Sequence, residues 1–222
     1  SDATYDAVHT WDGAFFRLDD HMARFWRGVE RLRFTLPVDD FAIRNILHKL
    51  VHKSELKNAY VALIATRGLL KPGSRDPRDC QNRFYAFAIP FVWIADPDKQ
   101  KTGLRMAVSD RERIRPEAVD PMVKNYHWLD FQVALLDAYD AGAETVVLLD
   151  SDGNVCEGPG FNVFVVKDGA LATPDRGTLE GLTRQPVIDI CEAEGVPISV
   201  RSVPVSELRA ADEIIITSTA GG

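Results

Sequence analysis

The stretch VDPMVKNYHWLDF, residues 119–131, sets one amine, Lys124, between an extended apolar approach and the start of a helix. A lysine there is either part of a plain strand-to-helix connection or a nucleophile, whose amine forms an exchangeable covalent link with a carbonyl. EGPGFNVF, residues 157–164, puts the carboxylate of Glu157 in front of two glycines and a strand. That acid is either a solvated turn residue or a buried partner for a cationic ring nitrogen. In EGLTRQP, residues 180–186, Gly181 and Leu182 lead directly into a helix at Thr183. A helix N-terminus offers unpaired N–H groups and positive partial charge, which suit a phosphate. An ordinary N-cap is the plainer reading. STAGG, residues 218–222, closes an apolar strand with the hydroxyls of Ser218 and Thr219 and three small residues, which suit a phosphate or a tight turn.

These pieces combine around one cofactor. Pyridoxal phosphate needs an amine for its aldehyde, an acid for its pyridine nitrogen and donors for its phosphate. Lys124, Glu157 and the Thr183/Thr219 pair supply one each. Other chemistries find less support. His48 and His52 have the spacing of two metal ligands on a helix, but the residues between them are KLV, without the glutamate of HExxH. No metal is expected. No GxSxG elbow, P-loop or GxGxxG occurs, which argues against three large enzyme classes.

Composition sets the frame. The 222 residues are 45% hydrophobic and 27% charged, with a net charge of -7, ordinary for a globular protein and ample for a core. The negative balance disfavours a nucleic-acid partner. No apolar run approaches the roughly 20 residues of a membrane span, so no membrane partner is expected. Cys80, Cys156 and Cys191 are far apart and form no CxxC pair, which reads as a reduced, cytoplasmic protein. Cys156 reads as a buried small hydrophobe.

The elements that must position these groups are legible in part. LDDHMARFWRGVERLRFTLP reads as a helix capped by Asp19 or Asp20. DDFAIRNILHKLVHK reads as a second, with Ile43, Ile46, Leu47, Leu50 and Val51 on one face. AYVALIATRG and RFYAFAIPFVW read as strands around a polar loop. Residues 1–93 are therefore expected as a small α+β domain, 94–102 as a linker, and 103–222 as a larger, barrel-like β domain. The latter has strands in LRMAVSD, TVVLLD, FNVFVVKDG, ALATP, ISVRSV and EIIITST, hairpin turns at SDGN and KDGA, and helices from about Trp128 to Gly142 and from about Thr183 to Gly195.

VDPMVKN, EGPGFNVFVVKDG, TPDRGTLEGLTR and STAGG, in that order, resemble the fold-type IV (class IV) pyridoxal-phosphate aminotransferases over essentially the whole chain. TYDAVHTWDGAFFRLDDHMAR and KNYHW resemble most closely the (R)-selective amine transaminases. The resemblance implies an α+β fold of a small domain, a linker and a larger barrel-like domain, and a homodimer. It implies Lys124 as the lysine that carries the cofactor and shuttles the proton. Glu157 would hold the ring nitrogen protonated. Arg24, the backbone N–H groups of Leu182 and Thr183, and Ser218 and Thr219 would hold the phosphate. Tyr5, Tyr60, Trp128 and Ala220 match positions lining the substrate pockets. Arg75, or Arg78 in another register, matches a loop arginine that receives a keto-acid carboxylate.

The implied activity moves an amino group from an (R)-amine or D-amino acid to a keto acid such as pyruvate, in ping-pong order. Alternatives of the same fold are a branched-chain amino-acid aminotransferase and an aminodeoxychorismate lyase. A silent cofactor-binding fragment is the reading from another class. Pro159 stands where relatives carry serine or alanine. DRERIRP departs from the family pattern ahead of the lysine, and the residue bonding the cofactor phenolate has no clear equivalent among Tyr126, His127 and Gln132. The family extends beyond both ends, so the chain is expected to be C-terminally incomplete.

Overall fold

The computed structural model describes residues 2–221. The chain divides into two compact units. The first comprises residues 1–92 and the short segment Val123–Tyr126; the second comprises Trp93–Met122 and everything from His127 on. Lys124 thus belongs to the first unit, although 30 residues of the second precede its segment.

The first unit is an antiparallel sheet backed by two helices. β1 (Ala3–Trp11), β2 (Ala14–Phe15), β3 (Ala59–Leu70) and β4 (Cys80–Pro90) lie in the order β2-β1-β3-β4. β1 escaped the sequence reading. Its run ATYDAVHTW is rich in β-branched and aromatic residues, but both faces are buried, so it lacks the polar alternation of a half-exposed strand. Tyr5 pairs with Ile64, Asp6 with Leu63 and Val8 with Val61. The pleat sends Val8, Val61, Leu63 and Ala65 into the core with α1 (Leu18–Arg31) and α2 (Asp40–Ser54). Tyr5 and Tyr60 take the other face. Gly28 lets α1 lie close on β1, because a Cβ there would meet Thr4 Oγ1 at 2.4 Å.

Helix α2 follows its pattern. Asp39 Oδ1 accepts the Ala42 N–H at 2.8 Å as an N-cap, and Ile43, Leu47 and Val51 are buried. Helix α1 does not start as expected. Its N-cap is Arg17, in the left-handed region at φ 51°, with no side-chain cap bond. Asp19 and Asp20 sit in the first turn, where the helix dipole favours them, and Asp20 Oδ2 accepts a hydrogen bond from Arg17 Nε at 2.6 Å.

The second unit is mixed helix and strand with a curled, half-barrel sheet. β7 (Asn162–Lys167), β8 (Ala170–Thr173), β9 (Ile198–Val200) and β10 (Glu213–Thr217) run in the order β10-β7-β8-β9, and β5 (Met106–Glu112) pairs in parallel with β6 (Thr145–Leu149). Asp168 and Gly169, both with positive φ, close the tight β7–β8 turn. Two parallel pairings need helical crossovers. α4 (Leu129–Asp140) lies between β5 and β6, and α5 (Arg184–Glu194) between β8 and β9. Residues 94–102, expected as a linker, carry a helix, α3 (Pro97–Thr102). Asp96 caps it through the N–H groups of Asp98 and Lys99, and Pro97 occupies its first turn, so the polar composition hid a helix start. A short α6 (Val205–Arg209) also went unread.

Leu47 is fully buried in the core of the first unit. Leu47→Ala is expected to destabilise the protein by about 2–5 kcal/mol, read as a lowered denaturant midpoint.

Candidate active site

In the first unit the candidate residues are a buried carboxylate, the two side chains that hold it, and one amine. Asp6, fully buried on β1, is held by Arg24, whose Nε donates to Oδ2 at 2.8 Å and Nη2 to Oδ1 at 2.8 Å. Nδ1 of the buried His21 lies 2.8 Å from the same Oδ1, and the Ala7 N–H donates to it at 2.8 Å. His21 and Arg24 are neighbours on one face of α1, three residues apart. Burial alone would raise the Asp6 carboxyl; Arg24 and His21 outweigh it and hold the group well below the usual range. Burial, helped by the charges of Arg24 and Lys124, pushes His21 below its ordinary value against the pull of Asp6, so the imidazole is neutral near pH 7. Neither Asp6 nor His21 was singled out from the sequence.

Lys124 lies in an irregular segment, and its main chain is fixed. Its carbonyl accepts the Tyr5 N–H at 3.0 Å and the Thr4 hydroxyl at 2.9 Å. Its Nζ sits 4.5 Å from the centre of the Tyr5 ring, a cation–π distance. Tyr126 stacks on Tyr5, with ring centres 4.1 Å apart and planes at 10°. Burial and the neighbouring Tyr5 push the Tyr126 phenol up to about 12. Tyr60 is pushed higher by burial first and then by Tyr5, Tyr126 and Asp6, so these phenols stay neutral. The loop arginines separate clearly. Arg78 is tied to Asp76, whereas exposed Arg75 makes no hydrogen bond or ion pair among the described residues.

In the second unit Glu157 is 7% exposed, so the solvated-turn reading fails. Its Oε2 accepts the Leu179 N–H at 3.0 Å and the Thr178 hydroxyl at 3.3 Å, and its Oε1 lies 3.3 Å from Arg113 Nη2. Asn162 on β7 holds the same loop, donating to Thr178 Oγ1 at 2.7 Å and to the Leu179 carbonyl at 2.8 Å. Gly181 is required there, because a Cβ would meet Asn162 Oδ1 at 1.9 Å. The loop ends at Thr183, the N-cap of α5, which makes no side-chain cap bond. The first-turn N–H groups of such a helix suit an anion. Ser218 gives its hydroxyl proton to the Gly160 carbonyl at 2.7 Å and accepts the Ala220 N–H at 3.0 Å, which joins the STAGG and EGPGF turns. Thr219 makes no side-chain hydrogen bond among the described residues. Ala220 is fixed by its carbonyl, which accepts the Ile94 N–H at 2.8 Å. Trp128 packs edge-on against Phe131 at 5.6 Å. Cys156 is buried, and burial pushes its thiol up to about 12, which suits a packing role.

The family model for amino-transferase class IV matches residues 3–222. The chain belongs to the class IV aminotransferases. It is 31% identical to a putative branched-chain-amino-acid aminotransferase of Methanocaldococcus jannaschii, over 99% of this chain and 75% of that protein. It is 28% identical to a D-alanine aminotransferase of Listeria monocytogenes, over 98% of this chain and 75% of that one. The solved structure of a branched-chain aminotransferase from Thermoproteus uzoniensis with norvaline superposes with a TM-score of 0.88 at 30% identity, covering 98% of this chain and 74% of that one. The fold is therefore fold type IV, and the enzyme is a pyridoxal-phosphate-dependent aminotransferase. The donor set agrees with that cofactor in kind. Glu157 is a buried acid held by three donors, α5 begins without a side-chain cap, and Lys124 is an amine on a pinned main chain.

His21 carries a test. Its folded-state value is depressed below the ordinary 6.5, so only the unfolded chain binds this proton as pH falls past 6.5. The resulting loss of stability is at most about 1.4 kcal/mol per pH unit. The Asp6 contribution is complete above its unfolded value of 3.8 and does not enter this window. Denaturation midpoints measured from pH 7 to pH 5 should fall in the wild type and fall less steeply in His21→Gln. Equal slopes would show that His21 binds its proton as readily in the folded protein as in the unfolded chain, and a steeper fall in His21→Gln that the fold favours the imidazolium.

Proposed function

We propose that this aminotransferase moves an amino group from an (R)-amine or a D-amino acid to a keto acid such as pyruvate, in two alternating half-reactions. The observation that carries the reading is the neutral aromatic wall beside Lys124, formed by Tyr5 stacked on Tyr126. Such a wall receives the apolar substituent of an amine without demanding a carboxylate. The unpaired, exposed Arg75 is the cation that receives the carboxylate of the acceptor in the second half-reaction. The motifs TYDAVHTWDG and KNYHW point the same way.

Pyridoxal phosphate, when bound, supplies an aldehyde that exchanges amines and a ring that takes up electrons from the substrate carbon. Lys124 would hold that aldehyde and would carry the proton released at the donor carbon. Glu157 keeps the ring nitrogen protonated. Arg24, the N–H groups of Leu182 and Thr183, and residues Ser218 and Thr219 hold the phosphate. Because the Ser218 hydroxyl proton is committed to Gly160, residue 218 offers its main-chain N–H instead. Tyr5, Tyr60, Trp128 and Ala220 line the substrate space. The three free cysteines support a reducing, cytoplasmic setting, and the family resemblance supports a homodimer.

Transfer from L-branched-chain amino acids is the second reading, favoured by the 31% identity to the Methanocaldococcus jannaschii protein. Incubation of the holoenzyme with D-alanine, (R)-1-phenylethylamine, L-leucine or L-valine, with pyruvate or 2-oxoglutarate as acceptor, separates the two by chromatography of the keto products. Turnover of the first two donors is expected; turnover of the L-donors alone replaces the proposal by the second reading. Lys124→Ala should lower turnover by about 100-fold or more, and borohydride should fix the cofactor to the Lys124 peptide of the wild type. A label on another lysine would remove Lys124 from the mechanism.

A further inference from the structure

We propose that Arg113 is the positioning residue that sets the plane of the Glu157 carboxylate toward the cofactor ring nitrogen, an inference that rests on the role given above to Glu157. The Leu179 N–H and the Thr178 hydroxyl both bond Oε2. Turning about the last C–C bond carries both oxygens together, so a donor on the second oxygen stiffens a turn that the first two donors already resist. Arg113 Nη2, 3.3 Å from Oε1, engages the second oxygen and stiffens that turn.

Arg113 is itself rigidly held. Its Nη1 donates to Asp130 Oδ2 at 2.6 Å, its backbone N–H bonds the Leu149 carbonyl at 2.8 Å, and its guanidinium lies 4.0 Å over the Phe131 ring. Asp130, in the first turn of α4, is fixed by the Ile114 N–H at 2.9 Å on Oδ2 and by the Phe131 N–H at 2.9 Å on Oδ1. The side chains of Arg113, Asp130 and Glu157 are each 9% exposed, so water does not screen the cluster. Two carboxylates share this one guanidinium, and the excess negative charge is what a protonated ring nitrogen offsets. The planar fork presents separate N–H groups to the two carboxylates in fixed directions; a lysine ammonium is a point charge without that fixed geometry. Buried Arg113 Nε has no hydrogen-bond partner among the described residues, so the guanidinium is kept at a cost. That cost fits a residue placed for the site and not for packing.

The test compares two ligands on the cofactor-free full chain. One is pyridoxamine 5'-phosphate, which forms no bond to Lys124. The other is its analogue with C–H in place of the ring nitrogen. Fluorescence titration gives both dissociation constants. The wild type should prefer the nitrogen ring by about tenfold or more, the worth of one charge-assisted hydrogen bond. In Arg113→Gln that preference should fall toward one, with affinity for the carbocyclic analogue unchanged. An equal loss for both ligands would mean a merely structural role and overturns the proposal, as does a preference at or above the wild-type value. If Arg113→Gln does not fold, Asp130→Asn decides: it keeps the guanidinium but frees it, and should reduce the preference, whereas an unchanged ratio overturns the proposal. A wild type without any preference would instead remove the role of Glu157.

Discussion

A carboxylate taken out of water must be given other donors or it costs several kcal/mol, and the chain meets this constraint in both units. Asp6, on β1, has no exposed surface and is satisfied by a guanidinium, an imidazole and a backbone N–H. Glu157 is satisfied by a backbone N–H, a hydroxyl and a guanidinium. In both cases the side-chain donors come from helices and loops that must arrive at fixed positions. The requirement therefore reaches into the packing. Gly28 lets α1 approach β1 closely enough for His21 and Arg24 to meet Asp6. Asn162 and Gly181 let the loop after residue 177 bring Leu179 to Glu157.

The parts of the fold that repeat a short-range rule were readable from the residues alone. Helix α2 shows its aspartate cap and its buried stripe, and the turn between β7 and β8 is written in KDGA. The elements missed were those where two rules collided. β1 is buried on both faces and contains an aspartate, so neither alternation nor composition marked it. The segment around Pro97 is polar enough for a linker, yet Asp96 and Pro97 are helix-starting residues. The start of α1 followed neither candidate aspartate, because Arg17 takes a left-handed conformation and pairs with Asp20 instead.

The site divides along the same line. Lys124, Glu157 and Thr183 could be selected because their residue types match a chemistry and their sequence neighbours mark an element's end. Asp6, His21, Arg113 and Thr178 carry no such mark. Arg113 stands 44 positions from Glu157 and 17 from Asp130. No local pattern relates residues at those separations; only the pairing of β5 with β6 and the crossover through α4 do. DRERIRP, which looked like a departure from the family's pattern, is the segment that supplies this guanidinium.

In the role proposed for it, Lys124 would have to meet the two demands made of a covalent amine. Its nitrogen has to leave one partner and reach another carbon, so its side chain needs freedom, while its anchor must not drift. A helix face would give a rigid anchor but would also restrict the first side-chain torsions against the preceding turn. An irregular segment relaxes those torsions but ordinarily leaves the main chain loose. Here the backbone is irregular and still pinned, by the Tyr5 N–H and the Thr4 hydroxyl on one carbonyl. Both donors come from β1, the strand that also carries Asp6. The strand that needed its charge buried thus also fixes the amine, and a shift of its register by one residue would exchange the Tyr5 and Asp6 faces and undo both.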